Sequence, residues 1–377
     1  MTEFIKKTLI NLFCLMSLKP QQTHGFLIPA YTGLGNFILM SPMVCKLRHI
    51  YPQAAIYILA GNHFGTQSVF QSGDGVATEI LWLDANASLW KRVYFFTKMR
   101  KLRISTAFVP FDASPSFFRW GILLAGIPRR IGHTLDVLGT EMGWTRDALT
   151  DPVALRLNTH ESDLHFDLLE RLEPNFKRTY DTHISCAKDD TLNKFALNNL
   201  DYVVIQLAAA NAQRTPKIWA LEKFAELIPL LLKQNFTVIL PGDVNEAPLI
   251  TKFSEQFDQR VINLAGKTNI LEISRIIKSA RLLICHDSGL MHIGNAHHTP
   301  LLALYGPTDW VFTAPKASTS HILRESLPCQ PCMKNFAKTE QQALFDCPID
   351  ILCMRNISVK EAYETCLEIL NKYPPKI

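Results

Sequence analysis

Apolar residues in this chain fall into short strand-length runs alternating with stripes at helical spacing. Gly25–Ala30 and Ala55–Ala60 are runs of the first kind. Between them Tyr31-Thr32-Gly33-Leu34-Gly35-Asn36 leads into Ile38, Met43 and Leu47 at helical spacing. Strand, Gly-rich turn, helix and strand open a doubly wound parallel sheet. The pattern predicts further strands at Ile80–Leu83 and Ala107–Pro110, and a helix over Phe117–Ala125 that stops at Gly126-Ile127-Pro128. From Thr150 to Asn199 the chain is charged and helical with little strand signal, and the domain junction is expected there, near Ser185–Asn199.

A second α/β series follows. Tyr202-Val203-Val204-Ile205 is a buried parallel strand by composition. Phe224, Leu227, Ile228 and Leu231 mark a helix that Pro229 is expected to kink. Phe236–Pro241, Val261–Leu264, Leu282–Cys285 and Leu301–Tyr305 supply more strands, with a helix over Ile270–Ala280. Ser358, with Glu361 three residues on, opens a final amphipathic helix. The expected division is an N-terminal amphipathic segment (1–24), a Rossmann-like domain (25–190), a second Rossmann-like domain (191–355) and a C-terminal helix (356–377).

Composition narrows the function. Hydrophobic residues make up 47% of 377, enough to bury two cores. A net charge of +5 is too mild for a nucleic-acid footprint and suits an anionic small partner or an anionic membrane surface. Nine cysteines, an odd number, argue against a fully paired secreted framework and for a reducing, cytoplasmic setting. Lys6-Lys7 precede an apolar stretch, Thr8–Leu18, that has no small-x-small cleavage site and falls well short of the roughly 20 residues that span a bilayer. Two readings stay open for it: a helix packed on the protein body, or one lying on the cytoplasmic face of the inner membrane.

Leu282–His292 carries the chemistry: a buried strand, a short loop and a helix. Ser288 and Gly289 leave backbone N–H groups unhindered at a helix N-terminus, where a phosphate is stabilised. His292 on the first turn adds a donor, and Asp287 can accept from sugar hydroxyls. Singly, Asp287 also suits a helix cap and His292 a core histidine. Lys217 after a strand is a point charge for phosphate, and Glu246 after the next can bind a diol; alone, either also suits a solvated surface charge.

Asp287-Ser288-Gly289-Leu290-Met291-His292 followed by Thr299–Asp309 closely resembles the signature of the glycosyltransferase family 9 heptosyltransferases. Lys217-Ile218-Trp219, Leu240–Glu246 and Leu124–Gly132 resemble further segments of that family in the same order. The resemblance implies a GT-B fold, two Rossmann-like α/β domains facing an interdomain cleft. It implies an inverting transferase that moves heptose from ADP-heptose to a phosphorylated, lipid-linked saccharide of the lipopolysaccharide inner core. The donor-binding set would be Lys217, Glu246, Asp287, Ser288, Gly289, Leu290 and His292. The acceptor side would be Gly35, Asn36, Arg129 and Arg130. Transfer would need no cofactor, and contact with the inner membrane would be peripheral.

Two positions depart from the family. Its usual base aspartate is here Asn36, and an amide cannot take a proton. Asp112 and His133 are the candidates to serve instead, or Asn36 is only a cap. The family His-Pro-Gly is here Gln206-Leu207-Ala208. Cys329-x-x-Cys332, Cys347 and Cys353 form a cysteine loop that suits a structural zinc or iron, or free thiols. Two alternatives stand beside the heptosyltransferase reading: the same chemistry on a protein or other glycan acceptor, and a nucleotide-sugar-binding protein without turnover.

Overall fold

The computed structural model describes residues 25–61, 65–71, 74–134, 148–188, 190–208, 216–333 and 347–374. The expected amphipathic segment 1–24 lies outside them. Contacts divide the chain between His183 and Ile184.

The first unit holds strands β1 (Gly25–Pro29), β2 (Ala55–Ala60), β3 (Glu79–Trp82), β4 (Thr106–Val109), β5 (Arg129–Thr134) and β6 (Asp151–Ala154). Its helices are α1 (Leu34–Ile50), α2 (Leu89–Met99), α3 (Ser116–Leu124) and α4 (Glu161–Leu172). All strand pairs are parallel, in the order β3-β2-β1-β4-β5-β6. Phe26, Leu27 and Ile28 are fully buried, as a strand covered by helices on both faces requires.

The second unit repeats the plan. It contains α5 (Asp190–Lys194), β7 (Tyr202–Ile205), α6 (Leu221–Lys233), β8 (Thr237–Leu240), α7 (Ala247–Ser254), β9 (Val261–Asn263), α8 (Ile270–Ser279) and β10 (Leu282–His286). Then come α9 (Gly289–Ala296), β11 (Leu301–Tyr305), α10 (Trp310–Thr313), β12 (Ser320–Arg324), α11 (Leu352–Arg355) and α12 (Val359–Lys372). The parallel order is β12-β11-β10-β7-β8-β9. Asn269 and Glu272 form a capping box on α8, and Ser358 caps α12 by accepting from the Glu361 amide. Helix α12 is part of this unit's core: Ala362, Cys366 and Ile369 pack in one cluster with Leu227 and Leu231 of α6.

Several expectations shift. β3 and β4 each lie one residue earlier than the apolar runs suggested. β5, β6 and β12 were not anticipated. β6 and β12 are edge strands with half-exposed faces, so they carry charge and, at Pro152, a proline that a central strand would not accept. α1 begins at Leu34, which puts Gly35 and Asn36 in a helical first turn rather than in the Gly-rich loop. α6 runs through Pro229 as one element. Residues 184–188 pack with the second unit, where the carbonyls of Ser185 and Leu271 accept from Ser274 Oγ and the Ala187 amide.

The order of strands locates the chemistry. In an open parallel sheet, ligands lie beyond the carboxyl ends of strands where the order reverses. That point falls between β1 and β4 in one sheet and between β7 and β10 in the other.

Candidate functional site

At the switch point of the second sheet, β10 ends on His286, and Asp287, Ser288 and Gly289 follow. Ser288 is the N-cap residue of α9, but its side chain makes no capping bond. Its hydroxyl instead donates to Gln206 Oε1 at 2.7 Å, one strand over. The first-turn amides of α9 are therefore uncapped by this side chain at the helix N-terminus, as anion binding needs.

His286 holds this edge together. It is fully buried, and its Nε2 accepts from the Trp219 amide at 3.0 Å. Burial first, and the Lys217 charge second, push its imidazole down to about 3. It is therefore neutral, with its proton on Nδ1 while Nε2 accepts. Trp219 is itself fully buried and donates through Nε1 to the Ile357 carbonyl at 3.0 Å, with Phe224 edge-on at 4.9 Å. This anchorage holds the backbone two residues after Lys217, whose charge acts on both His286 and Asp287. Burial raises the Asp287 carboxyl above its ordinary range, with Lys217 pulling the other way. Tyr305 Oη donates to Asp287 Oδ1 at 3.4 Å.

Glu246 sits at the start of α7, where its Oε2 accepts from the Asp243 amide at 2.9 Å. Burial raises its carboxyl, with that amide opposing. His292 is buried in α9, and burial lowers its imidazole to about 4. It can offer a neutral N–H donor but no positive charge.

The switch point of the first sheet gathers a second cluster. Asn36 Nδ2 donates to Glu161 Oε2 at 3.0 Å, and Thr32 Oγ1 to Asp112 Oδ2 at 3.1 Å. His165 Nε2 lies 3.6 Å from Glu161 Oε1. One donor atom from each of Asp112, Glu161 and His165 lies within 4.8 Å of the others, the one such set among the described residues. Asp112 Oδ1 is enclosed and makes no hydrogen bond among those residues. Burial, then the opposing His165 interaction, then the like charge of Glu161 leave the Asp112 carboxyl raised to about 6. That is a proton affinity suited to general-base work near neutrality.

Two first-unit candidates change role. His133 is fully buried, accepts from the Phe111 amide on Nδ1 at 3.2 Å and pairs Nε2 with the Leu164 carbonyl at 3.0 Å. Both ring nitrogens are occupied and burial lowers its imidazole to about 3, so it is a core histidine and not a base. Arg130 is also buried, donating to the carbonyls of Ala148, Ile127 and Pro128. It clamps the chain around β5 and is not presented to an acceptor. Arg129 is half-buried and paired with Asp151 at 3.3 Å.

Glu161, His165 and His286 were missed from the sequence, and Gln206 was noted only as a departure from the family, not as the partner of Ser288. Glu161 looks there like an ordinary acidic first turn, and its partner Asn36 is 125 positions away. The apolar run suggested a strand ending at Cys285, which leaves His286 just outside it, whereas β10 extends to His286.

All four loop cysteines line one pocket with Pro216, Pro307 and Ile351. Cys353 is pushed up to about 11 by burial first and then by Cys332, Cys347 and Cys329. Four thiols sharing one pocket fit a thiophilic ion as a donor set, although no three sulfurs approach as closely as the Asp112 cluster does.

Residues 166–343 match the model of glycosyltransferase family 9 (heptosyltransferase). This stretch, a little under half of the chain, is similar to a family 9 glycosyltransferase domain. Over 112 residues it is 35% identical to lipooligosaccharide heptosyltransferase 2 of Haemophilus influenzae, covering 29% of this chain and 32% of that protein. Over 141 residues it is 28% identical to lipopolysaccharide heptosyltransferase 2 of Escherichia coli, covering 36% and 40%. The matched stretches thus span about a third of the length of these relatives. In fold it is similar to E. coli ADP-heptose lipopolysaccharide heptosyltransferase II, with a TM-score of 0.74 at 19% identity over 93% of this chain and 99% of that one. The two six-stranded parallel sheets of the chain accordingly have the α/β, GT-B fold of that enzyme. No described helix is long and apolar enough to cross a membrane.

Neutral imidazoles at these sites set a pH dependence. Ordinary imidazoles titrate near 6.5, so below that value the unfolded chain takes up protons that folded His133, His286 and His292 refuse. Their contribution is complete above pH 6.5 and falls at up to about 1.4 kcal/mol per pH unit for each below it. Asp112, raised to about 6, acts with the opposite sign, as do the raised carboxyls of Asp287 and Glu246, against four lowered imidazoles once His165 is counted. The urea midpoint should fall between pH 7 and pH 5. A flat or rising midpoint would show that these imidazoles are not held neutral.

Proposed function

We propose that the chain is an inverting glycosyltransferase that moves heptose from ADP-heptose to a lipid-linked saccharide of the lipopolysaccharide inner core, at the cytoplasmic face of the inner membrane. What supports this reading is the Lys217 charge acting on Asp287 just before the start of α9, with the His286–Trp219 bond anchoring the chain two residues after Lys217. A lysine beside an uncapped helix start is a site for a diphosphate rather than a monophosphate. Glu246, one strand further along the sheet, takes the ribose diol, and Asp287 takes sugar hydroxyls. Ser288, Gly289 and Leu290 supply main-chain donors, and His292 a neutral one.

The acceptor belongs to the first unit, at Gly35, Asn36 and Asp112. The acceptor hydroxyl attacks the anomeric carbon as the bond from that carbon to the β-phosphate oxygen breaks. ADP leaves as the anion, with Lys217 and α9 stabilising its charge. Asp112 takes the proton that Asn36 cannot. Glu161 acts through Asp112: its charge raises that carboxyl, and Asn36 holds its other oxygen in place. The presence of a group able to accept the proton favours turnover over a binding-only protein. A protein or other glycan acceptor would use the same chemistry. Transfer needs no cofactor here. A zinc or iron ion held by Cys329, Cys332, Cys347 and Cys353 would be structural.

Lys217→Ala should weaken ADP binding by about 1.5–3 kcal/mol, the range for a hydrogen bond to a charged group, and AMP binding much less. Equal losses in calorimetric titrations would take Lys217 off the β-phosphate. Asp112→Asn should lower kcat by roughly 10²–10⁴-fold with donor affinity nearly unchanged. Glu161→Gln should move the acidic limb of the kcat/KM profile to lower pH, because removing the neighbouring charge lowers the Asp112 carboxyl. A lower rate with an unmoved limb would make Glu161 merely structural. Metal analysis of reductively purified protein should find near-stoichiometric zinc or iron, and chelation should lower Tm. Stable, metal-free protein would assign the four cysteines as free thiols.

A further inference from the structure

Residues 82–103 form a surface that neither switch point uses. Helix α2 buries only Phe96 and Met99, with Phe96 edge-on to Phe118 of α3 at 6.5 Å. Its outer face is apolar where solvent would favour polar residues: Trp90 is 80% exposed, Leu89 69% and Tyr94 61%, and Trp82 at the end of β3 is 48% exposed. The other large apolar side chains exposed among the described residues, such as Leu157, Val244 and Leu352, are far apart in the chain.

The same stretch is strongly cationic. Lys91, Lys98, Lys101 and Arg103 are exposed, and no acidic residue occurs between Asp84 and Asp112. Lys98 Nζ stands 4.5 Å over the Tyr94 ring, so cation and aromatic share one face. Exposed tryptophan and tyrosine with flanking lysines is the composition of an interfacial helix. A second copy of this chain is a poor occupant, because two such faces would bring like charges together.

The topology gives the surface a direction. Trp82 ends β3, and Leu89 and Trp90 start the helix that follows it, so all three lie at the carboxyl edge of the sheet. Thr32, Asn36 and Asp112 follow β1 and β4 at that same edge.

We propose that the outer face of α2, anchored by Trp90, Tyr94 and Leu89 and ringed by lysines, is where this chain docks on an anionic lipid bilayer. This face would bring the acceptor edge of the first sheet to the surface that carries a lipid-linked saccharide. The proposal deepens the peripheral-membrane reading above and rests on it for which membrane is meant; the docking itself does not depend on the donor.

The test is sedimentation of the full chain with vesicles of phosphatidylcholine alone or mixed with phosphatidylglycerol. Binding should require phosphatidylglycerol and weaken with added salt. The double variants W90A/Y94A and K91E/K98E should each reduce partitioning by roughly tenfold or more. ADP affinity, measured on the same preparations, should be unchanged, which separates this surface from the donor site and shows the variants fold. Variants that sediment like the parent, or a parent that ignores phosphatidylglycerol, would overturn the proposal. So would a concentration-dependent dimer that the same substitutions dissolve, since the face would then be occupied by a second copy.

Discussion

Burying ionisable groups at the carboxyl edges of two parallel sheets is the constraint on which the rest of this structure depends. A carboxylate or imidazolium removed from water must find partners or give up its charge. The two edges resolve this differently. In the second unit, His286 stays neutral and spends Nε2 on the Trp219 amide, two residues after the Lys217 whose charge acts on Asp287. In the first unit, Asp112 and Glu161 share a dry site, and the cost appears as a raised proton affinity on Asp112. One edge thereby acquires a fixed positive charge beside a helix start, and the other a carboxyl able to exchange a proton near neutrality.

The two departures from the family pattern have a common physical form. Gln206, in place of the family's histidine, accepts from Ser288 and so keeps that hydroxyl away from the α9 amides. Asn36, in place of the base aspartate, donates to Glu161. In each case a neutral amide orients a neighbour and leaves the charge to another residue. An aspartate at position 36 would instead set a third carboxylate against Asp112 and Glu161, which burial disfavours unless a proton is shared.

Much of the fold was legible in the chain. Wholly buried parallel strands such as Tyr202–Ile205 and Leu282–Cys285 are continuous apolar runs, and Ser358 announces its helix. Edge strands were not legible, because half-exposed β6 and β12 need no apolar run. Lys217, Asp287 and Ser288 stood out because loop, helix start and cation follow one another in family order. His133 and Arg130 misled because a titratable or cationic side chain after a strand reads the same whether it faces a ligand or the core. Glu161 and His165 were invisible for a related reason: only the folded sheet brings α4 under the first turn of α1.

The most direct test of the central claim is turnover by the purified full chain, given ADP-heptose and an inner-core saccharide that lacks its next heptose. ADP release and product mass should be followed together. Release of one ADP for each heptose added, with the anomeric configuration inverted, is the predicted result. ADP-heptose that binds but is neither transferred nor hydrolysed would contradict the account and leave a nucleotide-sugar-binding protein.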